Sequence, residues 1–160
     1  MAKSTMDQEL RRSVPSRRVD AVNLISAGAL IYCRATHRYL FLLRDGGRHS
    51  GSWGLVGGKI EAGETVVDGL NREIAEELGG TIRDAKLIPI EKFTSDTSRF
   101  EYHTYVINVD EEFVPMLNHE HRGYCWVRLE DYPRPLHPGV WRTFKFSSVI
   151  DKIRTLETVL

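Results

Sequence analysis

Hydrophobic and polar residues are arranged along this chain in patterns that predict both strands and helices. Five apolar runs have the length of strands and end in turn residues, at 24–33, 39–43, 87–93, 100–109 and 123–129. Apolar residues recur at helical spacing from Thr65 to Leu78 and again from Pro138 to about Leu156. The second helix should bury Trp141, Phe144, Ile150, Ile153 and Leu156. This order of elements predicts an α/β chain with a mixed sheet between layers of helices.

The helix from Thr65 to Leu78 has recognisable ends. Thr65 can cap its start, and Asp68 stands three residues on, where a capping box has an acidic side chain. Gly79 and Gly80 end the helix, because glycine readily adopts the left-handed conformation that terminates helices. One stripe of this helix should face the core, formed by Val67, Leu70, Ile74 and Leu78.

Three glutamates of the same helix follow the spacing i, i+3 and i+4, so their side chains converge: Glu73, Glu76 and Glu77. Glu64 precedes the helix and can fold back toward them. Carboxylates this close resist ionising together, and a hard cation such as Mg²⁺ relieves their repulsion. The alternative is a solvated acidic face in which Arg72 pairs with Glu76 or Asp68. The glycine pair before the helix, Gly57 and Gly58, favours the cation site.

These residues together resemble the signature of the Nudix hydrolases. Gly58 is followed after five residues by Glu64, and after seven more by the run Arg72–Gly79, which reads REIAEELG. The one departure is Gly80, where the family usually has an aliphatic residue. The resemblance covers roughly residues 22–155. It implies an α/β/α sandwich with a mixed β-sheet and with the motif helix on one side of the sheet.

The resemblance also implies roles for the motif residues. It assigns contacts to Mg²⁺, or to Mn²⁺ as a substitute, to the carbonyl of Gly57 or Gly58 and to the three helical carboxylates Glu73, Glu76 and Glu77. Glu64 then serves the metal shell or the activation of water. Arg72 would hold the glutamates in position through ion pairs. With these implied roles, Glu73, Glu64 and Arg72 are the candidate catalytic residues of the motif.

Residues outside the motif complete the predicted site. Members of the family often recruit a further carboxylate from a loop near the last strand, and Glu120 is the candidate general base, with a surface glutamate as the alternative. His119 and His121 flank it, but two histidines on a short loop are a weak zinc signal. Candidate phosphate contacts are Arg44, Arg48 and Lys59. A nucleobase would stack on Tyr102, Tyr105 or Trp126, although core or cross-strand packing is the favoured role for each.

Composition limits the remaining choices. A chain of 160 residues suits one domain, with residues 1–20 as a flexible basic arm and residues 21–160 as the folded part. Its 22 acidic and 22 basic residues balance, which argues against steering by global charge toward nucleic acid or membrane. Cys33 and Cys125 lie in apolar runs and predict buried, reduced thiols. With no apolar run of membrane-spanning length and no secretory segment, a cytoplasmic location is expected.

The resulting functional prediction is a Mg²⁺-dependent hydrolase that cleaves the diphosphate linkage of nucleoside diphosphate derivatives. Nucleoside triphosphates, nucleotide sugars and related compounds fit this class, and a small nucleotide is the predicted partner. Assembly as a homodimer is a further possibility, and nucleic acid is a possible but not favoured partner. Two alternatives are an RNA 5′-pyrophosphohydrolase, in which the basic arm holds the strand, and a non-catalytic nucleotide sensor on the same fold.

Overall fold

The computed structural model describes residues 24–97 and 99–160, so the predicted arm at 1–20 lies outside the described residues. Within the described residues the strands are β1 (Leu24–Cys33), β2 (Arg38–Arg44), β3 (Trp53–Gly54), β4 (Val56–Lys59), β5 (Leu87–Thr94), β6 (Phe100–Val109) and β7 (His121–Val127). The helices are α1 (Val66–Leu78), α2 (Pro138–Lys145) and α3 (Ser147–Val159), with a 3₁₀ turn at Leu129–Asp131. Among these described helices, none has the length and apolar character needed to cross a membrane.

The strands form one mixed sheet with β1 near its centre. β1 pairs antiparallel with β2 and with β4, and it pairs parallel with β6 along its whole length. β5 pairs with β6 on one side, while β3 and β7 both pair with β2 on the other. Every residue from Ala27 to Cys33 is buried, as expected of a strand covered on both faces.

Two apolar cores lie on opposite faces of this sheet. Alternate residues of β1, among them Ala29 and Ile31, pack in the core that includes Leu70 and Ile74 of α1. The intervening residues, such as Leu30, pack in the core that includes side chains of α2 and α3. The arrangement is therefore the predicted α/β/α sandwich, with α1 covering one face.

The predicted ends of α1 are confirmed. The Thr65 hydroxyl accepts a hydrogen bond from the Asp68 N–H at 3.1 Å, and Gly79 adopts the left-handed conformation with φ of 79°. Val67, however, was wrongly assigned to the buried stripe, because 41% of it is exposed. Val66 packs against that core and Glu77 is buried, so the buried face of α1 is centred nearer Leu70 and Val67 lies at its border.

Other boundaries also differ from the predictions. The closing helix is interrupted at Phe146, whose backbone is extended, and Trp141 is 51% exposed rather than buried. In one continuous helix Val149 would point away from Val140, since nine residues correspond to about two and a half turns. The interruption lets both side chains enter the same core. The last strand begins at His121 and ends at Val127, and Cys125 is half-buried while Cys33 is buried; both thiols are free.

Candidate active site

The two glycines before α1 lie in β4, where carboxylates of α1 approach the backbone closely. A Cβ on Gly58 would lie 2.6 Å from the carboxyl group of Glu73. Gly57 has φ of 145°, and a Cβ there would overlap the Ala27 carbonyl of β1. The Gly57 N–H donates a 2.9 Å hydrogen bond to Oε2 of Glu77. Glycine at 58 therefore lets the Glu73 carboxylate approach β4, and glycine at 57 lets β4 pair closely with β1 while its N–H binds Glu77.

Arg72 holds the carboxylates on the outer side of this site. Its guanidinium donates two 2.9 Å hydrogen bonds to the two oxygens of Glu64, which is the bidentate geometry favoured by arginine. It also donates to Oε1 of Glu73 at 3.1 Å and to the carbonyl of Lys59 at 3.0 Å. A longer ion pair of 3.6 Å joins it to Glu76. The ion pairs predicted for Arg72 are thus present, and Arg72 lowers the pKa of Glu64.

The three glutamates of α1 have different environments. Glu77 is 2% exposed, and its burial, reinforced by the charges of Glu73 and Glu120, raises its pKa to about 8. Burial also raises the pKa of Glu73, although Arg72 opposes that shift. The side chain of Glu76 is 54% exposed, which places it at the rim of the cluster. Glu77 lies on the buried face because it is about 20° from Leu70 on the helical wheel.

The loop before β7 brings two further side chains to Glu77. Ligand atoms of Glu77, Glu120 and His121 all lie within 4.8 Å of one another. The Asp45 N–H donates a 2.8 Å hydrogen bond to the Glu120 carbonyl and fixes this loop against the end of β2. His119, by contrast, is exposed. The structure therefore places the predicted base, Glu120, beside the carboxylates of the motif helix.

Sequence reasoning considered His121 only as a weak zinc signal and left it out of the predicted site. Only 6% of the residue is exposed, and within the described residues its Nδ1 is buried without a hydrogen-bond partner. Burial lowers its pKa, so the imidazole is neutral and can offer a nitrogen lone pair. The signal available in the sequence was its position next to Glu120, just before the apolar run at 123–129.

The donor set fits a divalent cation. Glu77 and Glu120 could supply carboxylate oxygens, which Mg²⁺ and Mn²⁺ favour, and the carboxylate of Glu73 lies nearby against Gly58. Glu77 is a deeply buried carboxyl group that accepts a hydrogen bond from the Gly57 N–H, and a cation would further stabilise its ionised form. His121 adds a nitrogen, a ligand that suits Mn²⁺ better than Mg²⁺.

A cavity of about 330 Å³ adjoins the carboxylates. It lies against β4, and Gly57 and Gly58 form part of its wall. Three aromatic side chains line it from β5 and β6: Phe93, Phe100 and Tyr102. Its polar lining includes Arg44, Glu91 and His137. One glycine pair thus separates an aromatic cavity from an acidic cluster.

Of the three predicted phosphate contacts, only Arg44 is among the described residues that line the cavity. Arg44 lines the cavity, and its Nε is buried without a hydrogen-bond partner within residues 24–97 and 99–160. Arg48 and Lys59 are exposed and are not among the described residues that line the cavity.

Of the three candidate stacking aromatics, one lines the cavity. Tyr102 does so, whereas Trp126 is buried and donates its indole N–H to the carbonyl of Phe113 at 3.0 Å. Tyr105 packs against the core beneath α1. Trp126 and Tyr105 therefore pack in the core and do not line the cavity in which a base could stack.

Comparisons with known proteins agree with this geometry. The NUDIX domain family model matches residues 22–147. The nucleoside triphosphatase NudI of Escherichia fergusonii is 29% identical over 116 residues, spanning 65% of this chain and 76% of that protein. A solved MutT Nudix hydrolase from Burkholderia pseudomallei has a TM-score of 0.58 at 27% identity and covers 74% of this chain and 93% of its own. The Nudix domain of Shewanella oneidensis NrtR, solved with ADP ribose, has a TM-score of 0.65 and covers 94% of this chain and 99% of its own; at 16% identity it supports the fold alone.

Proposed function

This chain belongs to the Nudix hydrolase family, and on that premise we propose that it is a Mg²⁺-dependent hydrolase of nucleoside triphosphates and related nucleoside diphosphate derivatives. The observation that supports the proposal most strongly is the wall shared by the aromatic cavity and the acidic cluster at Gly57 and Gly58. A nucleoside in the cavity would extend its phosphate chain over these glycines toward Glu73 and Glu77. The similarity to a nucleoside triphosphatase favours triphosphates within the class.

Each group of residues has a distinct task in this proposal. Glu73, Glu77 and Glu120 would hold the cation, with Glu76 available at the rim and His121 as a nitrogen ligand. When bound, Mg²⁺ offsets the charge on the phosphoryl oxygens and makes a coordinated water more acidic. Arg72 keeps Glu64 and Glu73 at fixed positions through the hydrogen bonds described above.

Proton transfer and phosphate binding fall to residues outside the helix. Glu120 is exposed, and the carboxylate oxygen that does not face the cation would accept the proton of the attacking water. Glu64 is the poorer base, because the bidentate contact with Arg72 lowers its pKa. Arg44 would donate its Nε–H, which has no partner among the described residues, to the phosphate chain, a charge-assisted contact of the kind arginine makes with phosphates.

A product-release assay tests the proposal. The purified chain is incubated with Mg²⁺ and a panel of nucleoside triphosphates, nucleotide sugars, ADP-ribose, dinucleotides and 5′-triphosphate RNA, and the products are resolved by chromatography. We expect cleavage of nucleoside triphosphates, a loss of at least about 100-fold in Glu73→Gln, and wild-type rates in the exposed control Glu111→Gln. Binding of nucleotide without any cleavage, in Mg²⁺ or Mn²⁺, would instead identify a sensor. Preferential cleavage of RNA would identify the RNA 5′-pyrophosphohydrolase.

A further inference from the structure

Glu91 is a carboxyl group set among the aromatic side chains of the cavity. It lies in β5 next to a register shift between Pro89 and Glu91, and it pairs with Thr104 of β6. Phe93 follows two residues later on the same face of the strand, and both residues line the cavity. The Glu91 carboxyl group therefore lies in the part of the cavity lining that is otherwise formed by Phe93, Phe100 and Tyr102.

This carboxyl group has unused hydrogen-bonding capacity. Within the described residues its Oε2 is buried and has no hydrogen-bond partner. Burial raises the pKa of Glu91, and the charge of Lys152 opposes that shift, but the Lys152 ammonium donates its 3.0 Å hydrogen bond to the Ile90 carbonyl rather than to Glu91. A buried acceptor left without a donor destabilises a protein, so its presence in a cavity indicates a ligand that supplies the donor.

The aromatic wall and the carboxylate have different consequences for recognition. Rings such as Phe93, Phe100 and Tyr102 stack on any base, because every base has an aromatic face. A carboxylate is more selective, since it only accepts hydrogen bonds and prefers two adjacent N–H donors. Among the common bases, guanine alone presents two such donors side by side, at N1 and at the 2-amino group.

We propose that Glu91 selects guanine nucleotides by accepting hydrogen bonds from N1–H and from the 2-amino group of the base. This inference rests on the proposed hydrolase function and assigns its preferred substrate. Uracil, cytosine and adenine each place a carbonyl oxygen or a ring nitrogen beside their donor. That lone pair would face a carboxylate oxygen and weaken binding.

The test compares GTP with ITP, which differs from GTP only by the missing 2-amino group. Assays use buffer alkaline enough to keep carboxylates ionised. We expect kcat/KM for GTP to exceed that for ITP by about 10- to 100-fold, because a hydrogen bond to a charged group is lost. In Glu91→Gln the GTP-to-ITP ratio should fall to within about threefold, since the glutamine amide turns an N–H₂ toward one of the two donors. Glu101→Gln is the matched control, on the neighbouring strand and outside the cavity lining.

The outcomes separate this inference from the proposed function. If the wild-type protein cleaves no nucleotide with Mg²⁺, the hydrolase proposal fails. If it cleaves triphosphates but treats GTP and ITP alike, or prefers another base, the role of Glu91 is refuted while the hydrolase proposal stands. The wild-type comparison needs no variant, so equal rates for GTP and ITP would refute the role of Glu91 even if Glu91→Gln does not fold, and a GTP-to-ITP ratio unchanged in a folded Glu91→Gln would refute it as well. A ratio of two substrates is also unaffected by a general loss of stability.

Discussion

Replacing Glu77 by glutamine should stabilise the metal-free protein in alkaline solution. The carboxyl group of Glu77 is buried, and its pKa is raised from the ordinary 4.5 to about 8. Between these values the folded chain keeps its proton while the unfolded chain has ionised. The free energy of unfolding therefore falls as the pH rises from 4.5 toward 8, and it stays reduced at higher pH. Glutamine does not ionise and avoids this loss.

The size of the effect follows from the pKa shift. Each pKa unit corresponds to about 1.36 kcal/mol, so the shift of Glu77 corresponds to roughly 5 kcal/mol. Burying the glutamine N–H₂ group without a partner costs about 1 to 3 kcal/mol, while its oxygen can still accept the Gly57 N–H. We expect Glu77→Gln to be more stable than the wild type by about 2 to 4 kcal/mol above pH 8 and to have no advantage below pH 4.5.

Urea unfolding in the presence of a chelator, at acidic and alkaline pH, measures this difference directly. Adding millimolar Mg²⁺ should then raise the free energy of unfolding of the wild type but leave that of Glu77→Gln nearly unchanged, because ligands stabilise the state that binds them. A variant that is less stable than the wild type in alkaline chelator would refute the electrostatic reasoning. Equal stabilisation of both proteins by Mg²⁺ would place the cation elsewhere.

Three further predictions concern the supporting residues. Arg72→Lys should lower turnover by about 10- to 100-fold with the fold intact by circular dichroism, because lysine cannot make the bidentate contact; a rate near that of the wild type would contradict this. Gly58→Ala should displace Glu73 and weaken Mn²⁺ binding by about tenfold in calorimetry. Gly80→Ala is the control, because its Cβ would have no described atom within 4 Å. Equal affinities of the two variants would argue against the steric reasoning. Phe93→Leu should raise KM for the nucleotide by about fivefold or more with little change in kcat, and an unchanged KM would remove the stacking role.

Local sequence signals predicted much of the acidic cluster but not the differences within it. The spacing of Glu73, Glu76 and Glu77 indicated convergence on one helix side, and the structure places Glu73 and Glu77 at the edge of β4. The burial of Glu77 was also readable, since its wheel position falls beside Leu70. The exposure of Glu76 was not, because it depends on how α1 sits on the sheet.

The cavity depends on contacts between residues far apart in the chain. β1 and β6 pair in parallel, and their neighbours β4 and β5 bring Gly57 and Glu91 to the same cavity. No periodicity in a single segment encodes that juxtaposition, so nothing in the sequence indicated that Glu91 lines the cavity. Arg44 and Tyr102 could be proposed as substrate contacts only because their residue types suit phosphate and base contacts. The nearness of Glu120 to Glu77 likewise requires β7 to pair with β2, which fixes the preceding loop over α1.

The central claim is that the cluster of Glu73, Glu77 and Glu120 binds a divalent cation. Titration with Mn²⁺, followed by loss of the free-ion electron paramagnetic resonance signal, tests it without requiring a substrate. We expect saturable binding to the wild type and at least about tenfold weaker binding to Glu77→Gln, with Glu111→Gln unchanged. Absence of bound Mn²⁺ in the wild type, with and without nucleotide present, would contradict the account.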